Sequence, residues 1–278
     1  MSVFIIGEVG INHNGNLKTA IELMDVAKEA GCNAVKFQKR TINKVYTEEE
    51  LNKYRESPWG TTNREQKLGL EFDSADYDFI DAHAKKINLQ WFASPWDLES
   101  VEFLKHYDLK FNKIASALLG HLELVNEIAK QRKHTFISTG MANYQDIQVI
   151  TDIFAGWNCP YELMLCHAQY PAPDEQTNLK CIQTLKSMFK CNVGYSDHTT
   201  GIIASVVATA LGATSIEKHI TLDRSMYGSD QSASLEPQGL NKMIEYIRHV
   251  ENSLGDGIKI VTEGELKVKA KLYRTGDN

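Results

Sequence analysis

Short apolar runs alternate with longer amphipathic stretches from one end of this chain to the other. The short runs read as buried strands: Val3–Val9, Ala34–Gln38, Leu89–Ser94, Phe111–Ser116, Thr135–Thr139, Glu162–His167, Asn192–Ser196 and Ser215–His219. Apolar residues recur at helical spacing in Leu17–Ala30, Ser74–Lys86, Leu98–His106, Leu122–Gln131, Tyr144–Phe154, Leu179–Phe189, Ile202–Leu211 and Leu240–Leu254. Alternation at roughly 30-residue spacing predicts an α/β protein, a TIM (β/α)8 barrel. One domain is expected to fill residues 1–278, with no second domain. An open doubly wound sheet is the alternative, but it usually carries a GxGxxG turn after its first strand. Gly7-Glu8-Val9-Gly10-Ile11-Asn12 is not one. The rhythm breaks once, in a polar insertion at about 39–72, Lys39 to Phe72. A loop of that length is expected to act as a substrate lid or an oligomer contact. The charged tail after Asp256 is expected to lie over the barrel or a neighbouring subunit.

Composition narrows the partners. With 42% apolar and 24% charged residues the chain reads as an ordinary soluble globule. A net charge of −6, without a run of lysine or arginine, argues against a nucleic-acid partner. A few local cations still suffice for an anionic substrate. No apolar stretch is long enough for a membrane span and no signal peptide opens the chain, so no membrane contact and a cytoplasmic location are expected. The five cysteines, Cys32, Cys159, Cys166, Cys181 and Cys191, are scattered and read as free thiols.

In a barrel the chemistry collects at the carboxyl ends of the strands. Those ends hold Glu8, Lys36, Gln38, Ser94, Lys113, Ser116, Ser138, Thr139, His167, Tyr170, Ser196, His198 and His219. His198 and His219 end neighbouring strands, and two imidazoles at one mouth suit a divalent metal with open coordination positions. A pair of satisfied core histidines is the plainer alternative. Lys36 and Lys113, with Ser116, Ser138 and Ser196, suit a phosphate or carboxylate cradle; lysines that snorkel to solvent are the alternative. Glu8 and Asp230 can complete a metal shell or act as acid and base, or merely cap and turn the chain. His13 reads as a loop residue, and Asn16 or Asn14 as the cap of the first helix.

Seven segments in order resemble the sialic acid synthase family, the phosphoenolpyruvate-dependent nonulosonate synthases. They are Ile6-Gly7-Glu8-Val9-Gly10-Ile11-Asn12-His13-Asn14-Gly15, Val35-Lys36-Phe37-Gln38, Lys113-Ile114-Ala115-Ser116, Ile137-Ser138-Thr139-Gly140-Met141, Gly194-Tyr195-Ser196-Asp197-His198-Thr199, Glu217-Lys218-His219-Ile220-Thr221 and Ser234-Leu235-Glu236-Pro237. The resemblance implies a TIM barrel that condenses phosphoenolpyruvate with an N-acetylated aldose such as N-acetylmannosamine, using Mn2+ or Mg2+. The products are a nonulosonic acid and phosphate. It implies metal ligation by His198 and His219 and phosphoenolpyruvate binding by Lys36, Lys113, Ser116, Ser138 and Ser196. Glu8, Gln38, Tyr170 and Asp230 then line the sugar and the reaction centre, with Glu8 and Asp230 catalytic. It also implies a homodimer or higher homo-oligomer.

Three departures bear on the acceptor. Ala117 and Leu118 follow Ser116 where the family commonly has Gly and an acidic residue. The antifreeze-like C-terminal domain of many members is expected to be absent. Gln231 follows Asp230 where a histidine is frequent. The Ser57–Thr62 loop or Arg224 is then expected to help recognise the sugar. Condensation with a different aldehyde, a metal-dependent sugar isomerase or epimerase, and a non-catalytic sugar-binding barrel are the alternatives.

Overall fold

A computed structural model describes residues 2–274; Met1 and residues 275–278, at the two ends of the expected domain, lie outside the described residues. Among the described residues ten strands are formed: β1 (Phe4–Gly10), β2 (Ala34–Lys39), β3 (Tyr54–Ser57), β4 (Gly60–Thr62), β5 (Gln90–Pro95), β6 (Phe111–Ile114), β7 (His134–Ser138), β8 (Tyr161–Cys166), β9 (Asn192–Asp197) and β10 (Ser215–His219). The helices are α1 (Leu17–Ala30), α2 (Ile42–Val45), α3 (Glu48–Leu51), α4 (Asn63–Leu70), α5 (Ser74–Ile87), α6 (Leu98–Leu104), α7 (Leu122–Ala129), α8 (Tyr144–Gly156), α9 (Cys181–Phe189), α10 (Ile203–Ala210), α11 (Pro237–Leu254) and α12 (Glu263–Leu272).

Eight strands pair in parallel in the order β5-β2-β1-β10-β9-β8-β7-β6. β5 and β6 lie side by side at the remaining seam, where the Phe92 and Phe111 rings stand 5.8 Å apart. The sheet therefore curls into a nearly closed TIM-type barrel, and the open-sheet alternative falls. Alternation along each strand sends every second side chain into the lumen. Phe4, Phe92, Phe111 and Phe136 stack there as an aromatic floor, with centroids 5.1–5.8 Å apart. That floor keeps water away from the charged layer above it. The opposite strand faces pack on helices, as α1 does through Ala20, Leu23, Met24 and Ala27. Asn16 caps α1 by accepting from the Thr19 N–H at 3.2 Å.

Three local expectations change. The fourth barrel strand, β6, ends at Ile114, because Ser116–Leu118 winds into a 3₁₀ turn that the small apolar residues disguise as more strand. The insertion is folded rather than loop: α2, α3, the β3–β4 hairpin and α4, with capping boxes at Thr47 and Thr62. It lies against the mouth. Trp59 meets Tyr227 of the loop after β10 at 5.7 Å, and Gly15 of the loop after β1 packs under the Gly69 carbonyl. A Cβ at Gly15 would sit 1.9 Å from that oxygen, and its φ of +63° also favours glycine. Finally, every residue from 252 to 274 is exposed, so the tail does not lie over its own barrel. No helix among the described residues is long and apolar enough to cross a membrane.

Candidate active site

Register levels the reactive groups. Glu8 pairs with His219 on one side and with Lys36 on the other, while Glu217 pairs with Ser196. Successive inward positions then bring Lys36, Lys113, Ser138, Ser196, Glu217, Glu8 and His219 around one pocket of about 220 Å³. Gln38, Ser94, Trp96, Ser116, Met141, Cys166, Tyr170 and His198 complete most of its wall. Each residue expected to bind phosphoenolpyruvate, the metal or the reaction centre except Asp230 lines this pocket, while Thr139 and His167 do not; Asp230 lies 3.8 Å from His219 Nδ1.

The lysines are not free. Lys36 Nζ lies 2.9 Å from Glu8 Oε2 and 3.7 Å from Glu217 Oε1. Lys113 Nζ lies 3.1 Å from Glu217 Oε2 and donates to Ser138 Oγ at 2.6 Å. Ser196 donates to Glu217 Oε1 at 3.0 Å. All these charged groups are buried, which excludes the solvent-snorkelling alternative. Burial alone would raise the Glu217 pKa, but Lys113 and Lys36 outweigh it and hold the carboxyl at about 2. Burial also lowers Lys36, yet Glu217 and Glu8 carry it above the usual lysine value. Glu217 was missed as a site residue by reading only the last residues of each strand. The signal was there: Ser215, Glu217 and His219 share one face at period two.

The histidines meet as expected, with ring centroids 5.7 Å apart. His198 Nδ1 bonds the His167 carbonyl at 2.6 Å, which turns Nε2 toward the pocket and the Tyr170 hydroxyl at 2.9 Å. Burial, and then His219, pushes the His198 pKa down to about 3, so the ring is neutral. Burial raises the Tyr170 phenol, which therefore donates to that nitrogen. His219 Nδ1 is buried without a hydrogen-bond partner. A neutral His198 ring beside a His219 ring with an orphaned nitrogen fits a divalent cation. Among the described residues no group of three or more His, Cys, Asp or Glu side chains is arranged around an ion, so the protein's own donors would leave such a site open.

At the acceptor end Glu8 Oε1 accepts from Gln38 Nε2 at 2.8 Å. Gly10, at φ +54°, makes room for them: an added Cβ would lie 3.1 Å from Glu8 Oε1 and 3.4 Å from His219 Cε1. Ser116 Oγ accepts from the Gly140 N–H at 2.9 Å, and Ala117 lines the pocket while Leu118 is buried. Gln231 is buried and structural, its amide donating to the Asn12 carbonyl at 3.2 Å. Arg224 is exposed and spends its donors on the Ser232 carbonyl. Trp59, in the Ser57–Thr62 segment, packs on Tyr227, so neither Arg224 nor this indole lines the pocket.

Comparison with known proteins agrees over most of the chain. The NeuB family model matches residues 23–259. N,N'-diacetyllegionaminic acid synthase of Campylobacter jejuni is 41% identical over 271 residues, covering 95% of this chain and 80% of that protein. N-acetylneuraminate-9-phosphate synthase of Homo sapiens is 35% identical, covering 98% of this chain and 77% of that one. The crystal structure of an N-acetylneuraminic acid synthetase from Leptospira borgpetersenii, in complex with citrate, matches with a TM-score of 0.86 at 31% identity, over 99% of this chain and 94% of that chain. The expected family is thereby found along the chain: this protein is an enzyme of the NeuB family of synthases.

Proposed function

We propose that this enzyme condenses phosphoenolpyruvate with an N-acetylated aldose of the N-acetylmannosamine type, giving a nonulosonic acid and phosphate. The observation that carries the reading is one pocket walled by two ammonium groups, four serine hydroxyls and two imidazoles. Lys36, Lys113, Ser116, Ser138 and Ser196 bind the carboxylate and phosphate. Glu217 holds both ammonium groups and the Ser196 hydroxyl in place, so the anion meets donors already oriented. His198 and His219 would hold a divalent cation such as Mn2+ or Mg2+, which would supply Lewis-acid polarisation of the aldehyde and a net positive charge that the mutually cancelling Lys36, Lys113, Glu8 and Glu217 do not.

The methylene carbon C3 of phosphoenolpyruvate forms the new bond to the aldehyde carbon as its double-bond electrons leave C2 electron-poor, and the aldehyde oxygen becomes a hydroxyl on taking a proton. Water adds at C2, and phosphate leaves with its bridging oxygen by C–O cleavage. Glu8 and Asp230, the carboxylates beside His219, handle the protons of these steps. The aromatic floor excludes water from below.

Phosphate release is measured with phosphoenolpyruvate, Mn2+ and a panel of aldoses, and the product is weighed by mass spectrometry. Release is expected only when both aldose and metal are present, with 18O from labelled water appearing in the keto acid and not in phosphate. Turnover of an aldose to its isomer without phosphoenolpyruvate would overturn the reading. His198→Ala should weaken Mn2+ binding by about 100-fold or more, read by calorimetry, since it removes one of only two protein donors.

A further inference from the structure

Alternate residues of an extended chain share one face, so Lys36, Gln38 and Arg40 follow one another along β2 and the residue just beyond it. The first two clamp one carboxylate. Glu8 Oε2 meets the Lys36 ammonium at 2.9 Å, and Glu8 Oε1 accepts from Gln38 Nε2 at 2.8 Å. Arg40 reaches back to the other end of the same amide and donates to Gln38 Oε1. A guanidinium only donates and an ionised carboxylate only accepts. Between them the Gln38 amide has one workable orientation, oxygen toward Arg40 and nitrogen toward Glu8. Turning it over would set acceptor against acceptor at Glu8 and donor against donor at Arg40.

Arg40 is itself held so that its fork faces that way. The guanidinium stacks on Trp96 at 4.1 Å, and the side chain is only 10% exposed. Glu71 lies 3.7 Å from the guanidinium and accepts from the Arg40 backbone N–H at 3.2 Å. The backbone beneath is fixed too: the Tyr77 hydroxyl donates to the Gln38 carbonyl at 3.1 Å, and the Trp96 backbone N–H to the Lys39 carbonyl at 3.0 Å. Anchoring the insertion needs only Glu71 and Trp96. The bond to Gln38 serves the pocket instead, which Gln38 and Glu8 line and Arg40 does not. Among the described residues Gln38 Nε2 donates to Glu8 alone, so its second N–H remains for a substrate oxygen.

We propose that Arg40 is a positioning residue for the condensation: by holding Gln38 Oε1 it turns the amide nitrogen toward Glu8 and the acceptor, and so keeps the Glu8 carboxylate aimed at the reaction centre. This rests on the condensation reading. Loss of one charge-assisted hydrogen bond that orients the site corresponds to about 10- to 100-fold in kcat.

The test is a double-mutant cycle on the intact enzyme with phosphoenolpyruvate, Mn2+ and the best aldose of the panel. Arg40→Met keeps an aliphatic stem on Trp96 but cannot donate. It should lower kcat about 10- to 100-fold, with KM for phosphoenolpyruvate and the calorimetric affinity for Mn2+ within about threefold of the wild type. The Gln38→Met/Arg40→Met double variant should match Gln38→Met within about threefold, because Arg40 acts through the amide. Arg40→Gln, too short to reach Gln38, takes its place in the cycle if the methionine variant does not fold. Arg40→Lys, which keeps the charge and a donor, should recover most of the loss. In 15N-labelled enzyme the Gln38 side-chain N–H signals, identified by their loss in Gln38→Met, should exchange with solvent about tenfold faster in the Arg40 variant than in the wild type. Losses that multiply in the double variant, or an exchange rate that does not change, would overturn the role. Failure of every aldose to release phosphate would instead overturn the condensation, while exchange of those signals still decides whether Arg40 holds the amide.

Discussion

β10 carries two buried charged residues in succession, and they belong to different machines. Glu217 points into the lumen, where it faces Lys36, Lys113 and Ser196. Lys218 points outward to Asp197 of β9 at 3.0 Å and donates to the Thr199 carbonyl at 2.6 Å. Asp197 is in turn saturated by the Thr199 N–H and hydroxyl and by the Ser205 hydroxyl of α10. The outer pair has its contacts met by protein alone. The inner set does not: His219 Nδ1 has no hydrogen-bond partner, Glu8 Oε2 and Glu217 Oε2 meet only lysine ammonium groups, and the set lines a pocket. Equal burial therefore does not mean equal purpose. Saturation marks the ion pair that holds strands to helix, and incomplete satisfaction marks the group prepared for a ligand.

Substitution separates the two. Lys113→Met should lower kcat/KM for phosphoenolpyruvate by about 1,000-fold or more, because a cradle ammonium is lost where charge must be held. Its urea midpoint should move little, since Glu217 keeps Lys36 as a partner. Lys218→Met should do the reverse and cost about 3–5 kcal/mol of folding stability, because Asp197 is left charged and buried. The double variant Asp197→Asn/Lys218→Met should recover much of that loss, since the uncompensated charge is gone. If Lys218→Met leaves urea unfolding unchanged while Lys113→Met destabilises strongly, the division of roles is wrong.

Much of the inner set was legible because barrel strands alternate and their ends collect polar groups. Lys36, Lys113, Ser138, Ser196, His198 and His219 stand where that reading puts them. Glu217 escaped because it lies two residues below a strand end, and only the lumen register shows what it faces. Trp96 and its Arg40 partner escaped for another reason. They meet where the chain enters an insertion whose polar composition says nothing of its docking. The tail escaped in part: its charge and apolar spacing do not name a surface, and residues 252–274 lie uncovered by the barrel, one of the two surfaces expected for them. Local periodicity reports which face is buried, whereas contacts between distant segments depend on shape.

His13 sharpens the comparison, because it is buried like the lysines yet has no carboxylate in an ion pair with it among the described residues. Its ring stacks on Phe72 at 4.0 Å, and Nδ1 accepts from the Gly15 N–H at 3.1 Å. Burial lowers its pKa to about 3, against the Gly10 backbone and with help from Arg40. The unfolded chain takes up this proton near pH 6.5 while the folded one refuses it until about 3. Unfolding thus binds protons between those values, and the His13 contribution to stability falls as pH falls, by up to about 1.4 kcal/mol per unit. His13→Asn keeps an acceptor and cannot be charged. It should cost stability at pH 7 through the lost ring stack, yet lose about 2 kcal/mol less than the wild type between pH 7 and pH 5 in urea unfolding. Parallel pH dependences in the two proteins would mean that His13 finds a counter-charge on protonation, and that burial without a partner does not set its state.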